Sequence, residues 1–532
     1  MAASLLAVLV VSVLLAAVAR RYDVSAPLAL VVAGLGAGML PGLRGIELEP
    51  ELVLFVILPP LLWSAGLESS YVALRKNLRP IGLLAVGLPL ATTFAVGVVA
   101  FHTVPELTIA AALTLGAIVA PPDAVSATAV GRRLGLPRQI MTLLGGESLL
   151  NDATALTAYK VALAAAIGTA ATWGSGLGTF ALAAVGGVVV GGVLGLIIDH
   201  IRTWLNDPLV ESAIGLVAPF FIYFLAEQVH GSGVIAVVIA ALLLGQRSTR
   251  ASYATRLQDT AVWRAVQLVL ESFAFLLIGL QLPTVIDELA GIRASVLATA
   301  SVAVLATVIV VRIVWVYAFA YVPRMLSARI REREPRPTSA QVFIVAWAGM
   351  RGVVSLAAAF AVPMTTLSGD AFPGRPQLVF LTFVVVVGTL LLHGLTLPWF
   401  IKVLDVPSDD SARDALEAAA AQTRATQAAS RRLDELLAED RPGVIIHEHT
   451  PKILRAWNER RSDAAWEELG RGDDEIGESP AATFRRLRLA MLAAERESFI
   501  SQRDEGSIDD EVLRALLRGL DLEEAALNRD RE

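Results

Sequence analysis

The chain has 532 residues, 55% of them hydrophobic and 18% charged, with no cysteine and a mean hydropathy of +0.62. Soluble domains carry about 25% charged residues, so this balance excludes an ordinary soluble protein, a disordered chain and a collagen or disulfide scaffold; the lack of cysteine excludes thiolate metal sites and thiol catalysis. The net charge of −6 hides a division at Lys402: residues 1–402 hold 25 Lys/Arg and 20 Asp/Glu, whereas residues 403–532 hold 19 and 30.

Residues 1–402 therefore read as a membrane domain and 403–532 as an acidic, mainly helical C-terminal domain. A span needs ~20 predominantly apolar residues. Thirteen stretches approach this, near 4–19, 25–43, 51–68, 80–101, 107–130, 140–167, 174–201, 209–228, 231–246, 262–283, 294–322, 339–364 and 376–402. The first lacks the basic start of a signal peptide and reads as the first span. Alternate loops collect the basic residues: Arg20 and Arg21, then Arg75, Lys76 and Arg79, then Arg132, Arg133 and Arg138. Arg202, the trio Arg247, Arg250 and Arg256, and the group Arg324, Arg329, Arg331, Arg333 and Arg336 continue the series. The opposite loops hold Arg44, Arg293 and Arg375. Positive loops face the cytoplasm, so the N-terminus is expected outside and the tail inside, in a multi-pass protein of the plasma (inner) membrane.

Spans one to six and eight to thirteen can be laid over each other as two inverted six-helix repeats, the architecture of secondary transporters. Span five carries Pro121-Pro122-Asp123 at its middle; span twelve, its partner, carries Gly349-Met350-Arg351-Gly352. Prolines withhold backbone donors and glycines ease departure from helical dihedrals, so both spans are predicted to unwind at mid-depth and cross. Such backbone must be buried in protein or line a cavity. A plain proline kink in a packed helix is the alternative.

Charges inside a membrane are costly and demand a partner or a purpose. Those present are Asp123, Glu147, Asp152, Lys160, Glu227, Glu271, Arg312 and Arg351. Helical geometry puts Glu147 and Asn151 on one stripe and Ser148 and Asp152 on the next, an oxygen-rich face suited to a hard monovalent cation or a proton. If Arg312 neutralises Glu147, Asp152 is left to hold either a proton or a cation but not both, and that competition is exchange. Glu147 and Arg312 could instead act in transport directly; the role expected of them is a structural ion pair.

The run Gly146-Glu147-Ser148-Leu149-Leu150-Asn151-Asp152 resembles the signature of Na+/H+ antiporters in the first branch of the monovalent cation/proton antiporter superfamily, the bacterial NhaP and animal NHE type. Leu58-Pro59-Pro60-Leu61-Leu62, Asp123-Ala124-Val125, His230-Gly231-Ser232-Gly233, Glu271-Ser272-Phe273 with Gly279, and Gly349-Met350-Arg351-Gly352 extend the resemblance over roughly residues 25–402. It implies an all-α membrane protein of about 13 transmembrane helices with unwound crossing helices. Asp152 would be the shared proton and cation carrier, with Asn151, Ser148 and Asp123 completing the cation shell. Glu147 would pair with Arg312, Arg351 would stabilise the crossing, through Asp123, and Glu271 would lie by the pathway. An Asn before Asp152 marks the electroneutral branch, one cation for one proton.

The implied substrates are Na+ and H+, with K+ or Li+ as alternatives to Na+. The implied partners are membrane lipid and a second copy of the chain. No cofactor, no resident metal, no enzymatic activity and no nucleic acid are expected. A K+/H+ antiporter is the rival on this scaffold and a cation channel the rival from another class. The chain departs from the family where Trp63-Ser64-Ala65-Gly66 replaces an acidic position, which Glu68 compensates unless it sits at the interface, and where Pro121-Pro122-Asp123 replaces Thr-Asp-Pro.

Lys160 is expected to snorkel or pair near its span end. Glu227 and His230 are expected either to line a funnel or to sit exposed at its mouth. Gly186-Gly187 and Gly191-Gly192 of span seven suggest close helix packing or a dimer contact. In the tail, residues 411–440 and 479–528 read as helices broken at Arg441-Pro442-Gly443 and at the acidic run from Gly470 to Pro480. His447 and His449 around Glu448 make a poor metal site.

Overall fold

The computed structural model describes residues 2–22, 24–40, 53–123, 128, 131, 134–168, 173–205, 207–289, 291–327, 332, 337–404, 406, 410–438, 449–469, 480–505, 507 and 510–528. Several sequence features lie outside the described residues: Arg44, Ala124, Val125, Arg132, Arg133, Arg329, Arg331, Arg333, Arg336, Arg441-Pro442-Gly443, His447, Glu448 and residues 470–479.

Two compact units divide the chain, Met1–Pro407 and Ser408–Glu532. The first opens with α1 (Ala2–Arg21) and α2 (Ala26–Gly38); a π-helical turn, Val53–Ile57, runs into α3 (Leu58–Glu68) and short α4 (Tyr71–Lys76). Next come α5 (Leu78–Thr103), α6 (Ile109–Val119), α7 (Arg138–Ile167), α8 (Trp173–Leu205) and α9 (Pro208–Gln228). Then follow α10 (Gly233–Gln246), α11 (Tyr253–Asp287), α12 (Ala294–Leu326), the pair α13 (Ser339–Trp347) and α14 (Val353–Phe360), and α15 (Arg375–Val403). Each of the thirteen apolar stretches falls on one or two of these elements. Among the described residues, six helices are long and apolar enough to cross a membrane, namely α5, most of α8, α9, α11, α12 and α15; α2, α6, α10 and the stretch Phe55–Glu68 are shorter apolar helices.

Helix ends follow local chemistry. Thr108, Ser232 and Ser252 accept the backbone N–H three residues on, and Thr338 with Gln341 forms a reciprocal capping box, satisfying donors that a helix start leaves open. The Ser252 cap explains why α11 begins at Tyr253 and not near 262: Arg256 and Asp259 extend the helix beyond the apolar stretch. In α5 a second π-helical turn, Leu83–Gly87, displaces the ladder, and the Trp315 Nε1–H donates to the Leu83 carbonyl at 3.0 Å.

Packing sorts the first unit into two bundles. α5, α6, α7, α12, α13, α14 and α15 pack mainly on one another, with Val96, Leu115, Val304 and Leu381 in a shared core. α3, α8, α9 and α10 surround Trp63, Ile198, Ile222 and Val238, and α2 packs against α11. Where α2 crosses α11, Gly34 faces Gly279, and a Cβ on either would run into the other helix's backbone. Gly187 and Gly191 of α8 abut Ser232 and Ala236 at the start of α10, which makes them packing contacts within the chain. Val185, Val189 and Val193 of α8 and Val302, Val310 and Val314 of α12 stay exposed, the apolar exterior that hydrocarbon requires.

The second unit comprises α16 (Asp410–Ala438), α17 (His449–Leu469), α18 (Pro480–Asp504) and α19 (Asp510–Asn528). α16 packs on α17, where Asn458 Nδ2 donates to the Thr426 carbonyl at 2.9 Å, and α18 packs on α19. Arg488 and Arg496 of α18 reach Glu523, Asp521 and Glu524 of α19 at 2.6–3.0 Å. The Arg488 guanidinium holds the Glu523 carboxyl below its ordinary value.

Candidate functional site: a crossing of two broken helices

Residues 120–123 and 348–352 are both non-helical, and they meet: the Asp123 N–H donates to the Met350 carbonyl at 2.7 Å. Pro121 and Pro122 cannot donate to the last carbonyls of α6, which leaves acceptors exposed at a helix C-terminus. Arg351 fills that need. Its Nε donates to the Val119 carbonyl at 3.1 Å, Nη2 to Ala120 at 3.4 Å, and Nη1 to Gly349. Its own backbone N–H is taken by Thr389 Oγ1 at 3.1 Å. Arg351 thus braces the crossing through carbonyls, and its hydrogen bonds do not run to the Asp123 carboxylate as the sequence suggested. A charged group opposite in sign to a helix end is the favourable arrangement.

Asp123 packs against Gly352, the residue before α14, so closely that a Cβ there would lie 2.7 Å from Asp123 Oδ2. Glycine is required for this approach. The start of α14 then presents its partial positive charge to a carboxylate, the mirror of Arg351 at the end of α6.

Arg312 and Glu147 come together as a fully buried bidentate pair, each 1% exposed, with Nη1–Oε1 at 2.5 Å and Nη2–Oε2 at 2.9 Å. Arg312 also donates from Nε to Ala346 at 3.1 Å and from Nη2 to Val345 at 3.0 Å, covering the last turn of α13. One arginine therefore ties α7, α12 and α13.

Asn151 is wholly buried; its Nδ2 donates to the Pro122 carbonyl at 2.7 Å while Oδ1 has no hydrogen-bond partner among the described residues. Asp152, 9% exposed, makes no hydrogen bond or ion pair among the described residues. Ser148, half-buried, lies one turn before Asp152 on the same face. Asp123 is within Coulombic reach of Asp152 and of Glu271. Glu271 is half-buried on α11 and accepts from Gln267 Nε2 at 2.8 Å.

Other residues fall elsewhere. Ser64 is buried and bonds its own helix at Leu61, and Glu68 is exposed at the end of α3. Lys160 pairs with Glu227 at 2.7 Å, and His230 is exposed just after α9 with φ +58°. α15 contributes to the crossing through residues that hydropathy does not single out. Thr389 and Thr396, two turns apart on one face, take the Arg351 N–H and the Trp347 Nε1–H at 3.1 and 2.8 Å. The seven-residue recurrence Thr382, Thr389, Thr396 in an apolar helix was the available signal.

Broken helices crossing in a charged, buried core, on a scaffold of apolar helices, define a secondary transporter of the membrane. The chain belongs to the sodium/hydrogen exchanger family, whose members exchange Na+ for H+ across a membrane, and is a multi-pass transporter rather than an enzyme. The family described as "Sodium/hydrogen exchanger, transmembrane" matches residues 6–403. An uncharacterized Na+/H+ exchanger of Mycobacterium tuberculosis is 34% identical over 96% of this chain and 93% of its own length. A sodium, potassium, lithium and rubidium/H+ antiporter of Bacillus pumilus is 32% identical over 74% of this chain and 60% of its own length. In fold, the chain resembles the sodium proton antiporter MjNhaP1 of Methanocaldococcus jannaschii, with a TM-score of 0.60, 20% identity, and coverage of 75% of this chain and 97% of the other.

Proposed function

We propose that this exchanger works electroneutrally, one Na+ for one H+, by alternating access, with Asp152 as the group that the two ions occupy in turn. The observation that carries this reading is the contrast on α7: Glu147 has a permanent counter-ion in Arg312, and Asp152 has none among the described residues. A desolvated carboxyl without a fixed counter-ion favours its neutral, protonated form, and an arriving cation favours its ionised form, so occupancy is exclusive. Asn151 Oδ1, Ser148 and Asp123 would supply further oxygen to the cation. Arg351 would hold the crossing, and Glu271 would lie on the approach to it. Direction follows the ion gradients. The loop charges favour the plasma membrane with the N-terminus outside and the tail inside, and a homodimer is the expected assembly.

The test is a pH-dye assay in everted vesicles on addition of Na+, Li+ or K+. Na+ should collapse the imposed proton gradient, and Asp152→Asn should abolish the response. An Asp152→Asn protein with normal exchange rejects the carrier role; a conductive, pH-independent flux rejects antiport in favour of a channel. The Bacillus relative's cation list makes K+ and Li+ the informative comparisons.

A further inference from the structure

We propose that Lys160 and Glu227 form a latch between the two bundles, which holds one face of the membrane unit shut and must release for the transport cycle to proceed. The inference rests on alternating access as read above. Lys160 sits on α7 two turns beyond Asp152, about 12 Å along the helix axis. α7 packs chiefly on α5 and α6, whereas Glu227 belongs to α9, which packs on α8, α10 and α3. The Lys160 Nζ donates to Glu227 Oε2 at 2.7 Å. The other carboxylate oxygen, Oε1, accepts the Gly233 N–H at the start of α10 at 3.1 Å. Glu227 is thus fixed within its own bundle, and Lys160 is the half that can let go.

The surroundings argue for a release mechanism rather than a permanent brace. The side chains are 59% and 35% exposed, against 1% and 2% for Arg312 and Glu147, so water can replace each partner as they part. A second pair spans the bundles on the same face: Arg375, at the start of α15, lies 3.9 Å from Glu288, just after α11. The Leu367 N–H donates to the Ile167 carbonyl at 3.2 Å, which joins the end of α7 to the segment leading into α15 and places both pairs on one side. Arg202–Asp259 and Arg247–Asp199, by contrast, tie α8 to α11 and to the end of α10, without involving the bundle of α7.

The chain contains no cysteine, so Lys160→Cys with Glu227→Cys introduces its only thiols. Joining them with a bis-maleimide of about the length of the Lys–Glu bridge should reduce Na+/H+ exchange in proteoliposomes at least tenfold. Each single-cysteine variant given the same reagent should keep its untreated rate. Undiminished exchange by the cross-linked protein overturns the latch. Nitroxides on the same two cysteines measure the separation by pulsed EPR without reference to transport. Two distance populations whose ratio responds to Na+ are expected, and a single distance at every Na+ concentration and pH also overturns the proposal. In the Lys160→Gln protein, labelled instead at one exposed position on each bundle, the separated population should rise about 2- to 5-fold, the range an exposed ion pair can shift. If the unmodified protein fails to exchange Na+ for H+, the antiport reading fails, and the EPR distances alone decide the latch.

Discussion

Glu147 and Asp152 lie little more than one turn apart on α7, yet Glu147 is paired with Arg312 and Asp152 has no such partner among the described residues, which gives them different chemistry. Replacing Glu147 with Gln leaves Arg312 charged and buried without its counter-ion. Breaking such a pair costs about 3–5 kcal/mol, so the Glu147→Gln protein should show a much lower melting temperature in detergent; a melt within a degree or two of the parent contradicts the brace. Asp152→Asn removes no described contact and keeps the volume, so it should melt like the parent while losing exchange. The two substitutions separate stability from transport on a single helix. Gly352→Ala is a third case. Its methyl group collides with Asp123, so exchange should fall while the apolar packing of α14 persists, which a parallel transport and melting measurement would reveal.

At the scale of elements, α6, α13 and α14 are held by side chains from other helices because their ends cannot satisfy themselves. Thr389 contributes the acceptor for the Arg351 N–H. Thr389→Val keeps the shape and leaves that buried donor unsatisfied, an expected loss of about 1–3 kcal/mol by thermal or denaturant unfolding. In the tail, α18 and α19 are joined by arginine–carboxylate pairs. Glu523 is held below its ordinary value by Arg488, so its contribution is complete above the unfolded carboxyl range near 4.5 and is lost as pH falls through the lowered folded value. Protection of the α18 and α19 amides against hydrogen exchange, relative to their intrinsic rates, should therefore fall below about pH 4 and hold steady from neutral to mildly acidic pH.

For the whole molecule, the chain divides into two units, and the first carries the crossing. A chain ending at Val406 is expected to insert in the membrane and exchange ions with an unchanged pH profile. A shifted profile would instead assign the tail a regulatory role. Much of this organisation was legible beforehand. The thirteen apolar stretches fall on helices because burying backbone in hydrocarbon demands long apolar runs, and such runs are visible in a sequence. Start points were less legible: α11 begins early because Ser252 caps it, and a cap is a local hydrogen bond, not a hydropathy feature.

By itself the sequence determined the membrane class, the two broken helices and the acidic patch on α7. Those follow from hydropathy, from the missing proline N–H and from helical periodicity, which are properties of the chain at short range. Only the tertiary structure decided that Arg351 serves carbonyls, that Thr389 supports it, and that Lys160 reaches Glu227 on another bundle. Partners separated by tens to hundreds of residues are selected by which helix ends and which charges the fold brings within hydrogen-bond distance, and no local pattern encodes that choice.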